Sequence, residues 1–182
     1  MHELRRRRSA ALLTALLALT ALPAIADDDK SSDASAHILQ AEMALQGNDY
    51  LKAATEYRKA AELSNSVEIA RKATRLAFSY KFNEEALKAA RRWNRLDPES
   101  DEAQLYLAQC YFRVGDLRKA RRQYADVIAD GREEPGQRLL SLVRYLSDEG
   151  DAENADKLMR SLAKPYKDSV WAHYAVAALA LE

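Results

Sequence analysis

The stretch DEAQLYLAQCYFRVGDLRKARRQYADVIAD, residues 101–130, contains two helical patterns separated by Gly115-Asp116. In the first half Leu105, Ala108 and Phe112 recur at helical spacing, which is typical of a helix that packs on one side. The second half places five residues on one face: Leu117, Ala120, Tyr124, Val127 and Ile128. The stretch therefore predicts a hairpin of two helices with a repeat length of about 34 residues.

The small residue of the second helix recurs along the chain. It is found at Ala53, Ala86, Ala120 and Ala155, at intervals of 33, 34 and 35 residues. The positions four and seven residues further on are also apolar in every copy: Tyr57, Ala90, Tyr124 and Met159, then Ala60, Trp93, Val127 and Leu162. A turn signal precedes each copy, as at Gly47-Asn48-Asp49 and Gly150-Asp151. The sequence thus predicts four stacked hairpins.

This period and its turn signals resemble those of tetratricopeptide repeats over roughly residues 35–182. The resemblance implies an all-α, right-handed superhelical solenoid of tetratricopeptide-type hairpins, with four repeats and a terminal helix. We expect helices near residues 36–46, 50–63, 66–80, 83–96, 100–114, 117–130, 135–147, 152–164 and 168–181.

The first 26 residues have the three parts of a secretory signal peptide. Four arginines, Arg5 to Arg8, precede an apolar run from Ala10 to Leu22, and Ala24-x-Ala26 provides a cleavage site. The apolar run is shorter than the roughly 20 residues of a membrane span. We expect export to the periplasm and cleavage after residue 26; an uncleaved inner-membrane anchor and export of the folded chain by a twin-arginine route are the alternatives.

Removal of residues 1–26 changes the charge balance. The whole chain has 28 basic and 28 acidic side chains, and the segment holds four Arg and one Glu, which leaves 24 basic and 27 acidic side chains, a net charge of −3. A chain with this charge is not expected to bind nucleic acid or anionic lipid. Residues 27–35 are acidic and serine-rich and predict a flexible leader, so the repeat domain is assigned to 36–182.

No pattern in the sequence indicates catalysis, a cofactor or a metal. The three histidines, His2, His37 and His173, are far apart, and glycine-rich phosphate loops, nucleophile elbows and HExxH motifs are absent. Cys110 is the only cysteine, which excludes an internal disulfide; it is interpreted as a packing residue, with a reactive thiol as the alternative. We therefore expect a binding protein and not an enzyme.

In tetratricopeptide proteins the first helices of successive repeats line a concave groove, with ligand contacts mainly from helix positions two, five, nine, twelve and thirteen. With Ala108 as position eight, the resemblance implies a protein-binding set of seven residues: Arg71, Arg75, Phe78, Gln109, Phe112, Arg113 and Arg144. Such a set suits an acidic segment or a terminal carboxylate. Two alternatives remain: the phenylalanines belong to the core between repeats, and the arginines are solvated and paired with neighbouring acids.

Residues 67–100, VEIARKATRLAFSYKFNEEALKAARRWNRLDPES, are similar to the second repeat of proteobacterial envelope tetratricopeptide proteins. These proteins are adaptors of a periplasmic carboxyl-terminal processing protease and bring peptidoglycan hydrolases to it. The family is anchored in the outer membrane by a lipidated cysteine and is longer, whereas this chain has no such cysteine. Ile38 and Glu42 also replace the Lys and Asn of the carboxylate clamps that bind chaperone tails.

These features together predict a non-catalytic periplasmic scaffold or adaptor whose partner is a protein or peptide, such as a periplasmic protease or cell-wall hydrolase. Association with the outer membrane, or any membrane contact, would come through partners or an uncleaved signal. The alternatives are an assembly or secretion factor for envelope machinery or exported polysaccharide, and a structural spacer or truncated fragment without a specific ligand. Truncation is suggested by residues 169–182, which are typical of the first helix of a fifth repeat.

Overall fold

The computed structural model describes residues 24–131 and 133–181, and within them every regular element is helical. The elements are α1 (Ala24–Gln46), α2 (Tyr50–Leu63), α3 (Val67–Ser79), α4 (Asn83–Leu96), α5 (Asp101–Arg113), α6 (Leu117–Ile128), α7 (Pro135–Ser147), α8 (Ala152–Ala163), a 3₁₀ turn (Lys164–Tyr166) and α9 (Val170–Leu179). Neighbouring helices pack as hairpins, and each hairpin stacks on the next. The prediction of an all-α helical repeat solenoid is confirmed.

The repeat is visible in the backbone of the four hairpin turns. Each turn has one residue with positive φ, at positions 48, 81, 115 and 150, which are again 33, 34 and 35 residues apart. Glycine takes this conformation at two of them, while Asn48 and Lys81 adopt it with φ 58°. Asparagine tolerates left-handed backbone, whereas the lysine is held there by the turn itself.

Helix starts follow the same period, because a side-chain oxygen satisfies the free N–H groups of the first turn. Serines cap three of the first helices, at Ser66, Ser100 and Ser169. Aspartates cap three of the second helices, at Asp49, Asp116 and Asp151.

The ridge predicted from the small residues is the core of the solenoid. All twelve of its side chains, three in each second helix, are at most 3% exposed. Tyr57, Trp93, Tyr124 and Met159 are the large members of the ridge, one in each repeat, and each is essentially inaccessible. The alanines between them let the helix axes approach closely.

The N-terminal boundary differs from the prediction. Residues 27–35, predicted to be a flexible leader, continue α1 as helix. Ala34 is 4% exposed, so the packing of α1 extends before residue 36, and its burial supports helix where composition alone suggested a leader. The predicted signal peptide lies mainly on residues 1–23, outside the described residues, and stays a prediction.

None of the helices in the described part of the chain combines the length and the apolar character that a membrane crossing requires.

Candidate functional site

The exposed sides of the first helices carry ion pairs that connect one repeat to the next. We call this surface the inner face and define it by five residues: Glu42, Lys72, Arg75, Glu102 and Arg138. Lys72 Nζ lies 2.6 Å from Glu42 Oε1, joining α3 to α1, and Arg75 Nη2 lies 2.5 Å from Glu102 Oε1, joining α3 to α5. Arg138 Nη2 lies 3.2 Å from Asp101 Oδ2 and joins α7 to α5. Charged groups therefore line the inner face along its length.

An open depression of about 470 Å³ lies on the inner face between α1 and α3. We call it the α3 pocket. Three cations line it, Arg71, Lys72 and Arg75, with one carboxylate, Glu68. Its apolar lining consists of Leu45, Leu76 and Tyr80. The pocket thus combines cationic groups with an apolar floor, the combination that an acidic segment with an apolar side chain requires.

The cations of the α3 pocket are paired, but with partners that solvent reaches. Arg71 contacts Glu68 of its own helix, and the two side chains are 37% and 69% exposed. In the Arg75–Glu102 pair the exposed fractions are 49% and 39%. Exposed pairs of this kind contribute about 0–1 kcal/mol, so an incoming carboxylate can replace these partners at little cost.

The pairing shifts the pKa values of these groups toward their charged forms. The hydrogen bond to Glu102 raises the pKa of Arg75. Hydrogen bonds from Lys72 and Tyr57 lower the pKa of Glu42. Burial alone would lower the pKa of Lys72, but its hydrogen bonds to Glu42 and Tyr57 outweigh this and raise it. All of these side chains are therefore charged at neutral pH.

Two other residues of the predicted binding set, Phe78 and Arg113, form a connection across three repeats. The guanidinium of Arg113 lies 3.3 Å from the centre of the Phe78 ring, and its Nη1 donates to the Phe78 carbonyl oxygen at 2.8 Å. Its Nε lies 2.5 Å from Glu149 Oε2, and the Arg113 side chain is only 15% exposed. Phe78 also meets Tyr106 edge to face at 5.0 Å. Arg113 therefore joins α3, α5 and the end of α7, and its donors are already used inside the protein.

The remaining members of the set are separated by their burial. Phe112 is 4% exposed and belongs to the core of α5 to α9, which is the alternative left open by the sequence. Gln109 is 5% exposed, so protein atoms cover it as well. Arg144 lies exposed on α7. The structure thus brings Arg71 and Arg75 together in one pocket, and burial removes Gln109 and Phe112 from the accessible surface.

Several residues of the α3 pocket were missed in the sequence. Lys72 directly follows Arg71, but its helix position is not among those that bind ligands in tetratricopeptide proteins. Tyr80 ends α3 and stacks on Tyr50 with ring centres 4.0 Å apart. That stack joins two hairpin turns, and no local pattern signals it. The run of three cations within five residues, Arg71 to Arg75, was the available signal for Lys72.

Groups with chemical reactivity have structural surroundings. Burial raises the pKa of the Cys110 thiol to about 12, so the cysteine is a packing residue and not a thiolate nucleophile. His37 Nδ1 lies 2.6 Å from Glu56 Oε2 and links α1 to α2. Across residues 24–131 and 133–181, no group of three or more His, Cys, Asp or Glu side chains is placed to hold a metal ion.

Comparisons with known proteins agree with the repeat at the centre of the chain. Residues 81–143 match the family model described as tetratricopeptide repeat, a range that includes α4, α5 and α6 and begins at the turn residue Lys81. No curated protein sequence matches the chain. The crystal structure of MamA protein is similar at 16% sequence identity and a TM-score of 0.49, over 81% of this chain and 80% of that chain.

Proposed function

We propose that this protein is a non-catalytic scaffold that binds a partner protein through its inner face, and that the bound segment is acidic. The observation that supports this is the α3 pocket, where Arg71, Lys72 and Arg75 surround an apolar floor. The repeat match at residues 81–143 supports the same class of function, since stacked hairpins build extended binding surfaces.

Binding would proceed by exchange of ion-pair partners. A carboxylate of the ligand replaces Glu68 beside Arg71 or Glu102 beside Arg75, and both of these acids are exposed and remain solvated when released. An apolar side chain of the ligand then covers Leu45, Leu76 and Tyr80, which contributes about 25 cal/mol for each Å² of apolar surface buried. The planar guanidinium groups bind a carboxylate through two parallel hydrogen bonds.

The test is a charge reversal of the pocket, Arg71→Glu/Arg75→Glu. The probe is a labelled 12-residue peptide in which Asp and Glu alternate with Leu and Phe, and the readout is fluorescence anisotropy. We expect the double variant to weaken binding about 10-fold or more, because two charge-assisted contacts become repulsive.

The matched control is Arg121→Glu/Arg122→Glu, which reverses two exposed arginines on the second helix α6. It changes the net charge of the protein by the same amount without altering the α3 pocket. Equal affinity of the pocket variant and the control variant would contradict the proposal. Circular dichroism of both variants checks that the helices are retained.

We further propose that the chain acts in the periplasm and delivers partners to an envelope protease. The support is the signal-peptide pattern of residues 1–26 and the resemblance of residues 67–100 to protease adaptors. Capture from periplasmic extract with the same two variants tests this proposal. Recovery of a processing protease or cell-wall hydrolase by the control variant alone would place that partner at the α3 pocket.

A further inference from the structure

The last helix, α9, is a first helix without a second helix packed on it in the described chain. Its cap Ser169 and its buried Ala175 take the places of Ser100 and Ala108 in α5. In the preceding repeats a second helix covers this side of the first helix, as α6 covers α5. Beside α9 the corresponding surface is an open slot of about 660 Å³, bounded by α8 and the 3₁₀ turn. We call it the α9 slot.

The floor of the α9 slot is apolar and built from small side chains. It is formed by Ala163 of α8 and by four residues of α9: Ala172, Val176, Ala177 and Ala180. The α9 residues follow helical spacing and form a stripe parallel to the helix axis. A straight stripe of small side chains accepts the ridge of a second helix at close distance. The shape of the slot therefore fits a helix better than an extended segment.

The rim of the slot is basic. Arg160, Lys164, Lys167 and His173 surround the floor, and none of the described residues that line the slot is acidic. Arg160 pairs with Asp156 at 2.8 Å, but their side chains are 60% and 35% exposed, so the pair is weak. His173 Nε2 lies 2.7 Å from the Lys167 carbonyl oxygen, which fixes the turn against α9. The wall of the slot is thus in place before any ligand binds.

We propose that the α9 slot binds an amphipathic helix with acidic flanks from another protein. The apolar ridge of that helix lies on the alanine floor, and its flanking carboxylates meet Arg160, Lys164 and Lys167. The charge complementarity of the rim selects this ligand over a basic or neutral helix. The slot is at the opposite end of the solenoid from the α3 pocket, so the inference is independent of the proposed function.

The experiment uses the full chain and three labelled 18-residue peptides. The first is an amphipathic helix with Leu at helical spacing and Glu on both flanks of the apolar stripe. The second has Lys in place of Glu, and the third has the composition of the first in scrambled order. We expect the acidic helix to bind at least 10-fold tighter than either control, with affinity that falls as salt is raised.

Two variants place the contact. Lys164→Glu/Lys167→Glu reverses the rim, and Ala177→Glu puts a charge on an exposed floor position where folding tolerates it. Each should weaken binding about 10-fold or more, whereas Arg71→Glu/Arg75→Glu and Arg121→Glu/Arg122→Glu should leave it unchanged. Loss of binding in the α3 pocket variant would instead assign the peptide to the proposed function.

Three outcomes would overturn the inference. They are equal binding of the acidic and the scrambled peptide, affinity unaffected by the rim variant, and a dimer in sedimentation velocity that Ala177→Glu dissociates. The last result would mean that a second copy of this chain occupies the slot.

Discussion

The two ends of the solenoid solve the same packing problem with different side chains. Between α1 and α5 the core is mostly alanine, with six fully buried copies: Ala41, Ala61, Ala70, Ala73, Ala89 and Ala103. Between α7 and α9 it is mostly leucine and methionine: Leu139, Leu142, Leu146, Leu158, Met159 and Leu162. The period of the repeat is the same in both regions, so the period alone does not set the size of the core side chains.

The alanine region depends on a few large or polar groups to fill and hold it. Tyr57 and Trp93 are its large buried side chains. Polar contacts reinforce it, since Arg92 of α4 donates from Nε to the Ala61 carbonyl oxygen at 2.9 Å and from Nη2 to that of Ser64 at 2.6 Å. The leucine region instead distributes its packing over many side chains. Loss of one large residue should therefore harm the alanine region more.

The largest effect is expected from Trp93→Ala. Truncation leaves a cavity among side chains too small to fill it, and we expect a loss of about 3–5 kcal/mol in the free energy of unfolding. Denaturant unfolding followed by circular dichroism measures this value. Trp93→Phe is the control and should lose less, because it keeps a ring and removes an indole N–H that has no hydrogen-bond partner among the described protein atoms. A larger loss for Leu142→Ala than for Trp93→Ala would contradict the comparison.

A smaller effect, in the leucine region, is expected from Gly136→Ala. An added Cβ would meet Ser169 Oγ and lie 2.9 Å from Trp171 Cβ, so α7 and α9 would have to move apart. We expect a loss of about 1–3 kcal/mol, measured as a lower midpoint of denaturant unfolding and as a change in Trp171 fluorescence. Gly47→Ala is the matched control, because its Cβ would meet only Ala44 and Met43 carbonyl oxygens at 3.6 and 3.7 Å. That variant should be neutral or slightly stabilising.

The smallest effect is an acid sensitivity of the alanine region. Burial raises the pKa of Glu56, but hydrogen bonds from Lys59 and His37 outweigh this and lower it below its usual 4.5. Because the folded pKa is lower than the unfolded one, the stabilisation is complete above about pH 4.5 and is lost as pH falls through the folded pKa. Glu85, paired with Arg58 and Lys88, behaves in the same way.

We expect α1 and α2 to lose protection in hydrogen exchange, corrected for intrinsic rates, when the pH is lowered from about 6 to about 3.5. The variant Glu56→Gln should be less stable at pH 6 and show a weaker pH dependence. Glu153→Gln, which alters an exposed pair on α8, is the control and should keep the wild-type profile. Earlier loss of protection in α7 to α9 would show that acid acts elsewhere.

The sequence by itself determined the repeat and its core. Spacing of small residues located the buried ridge of every second helix, because a helix that packs on one side must bury the same face in each copy. It also placed the hairpin turns, since glycine, asparagine and aspartate favour turn backbone and helix caps. These are local properties, and from α2 onward the helix bounds agree with the sequence to within about two residues.

Only the tertiary structure decided which of the predicted binding residues are accessible. Helix position numbers treated Phe112 and Arg75 alike, yet the packing of α5 against the later helices buries the first while the second stays on the inner face. Arg113 reached Phe78 and Glu149, about 35 residues away in either direction, which no local pattern could indicate. The helical form of residues 27–35 also depended on burial of Ala34. In each case the deciding interaction joins residues distant in sequence, and its energy depends on how the helices stack.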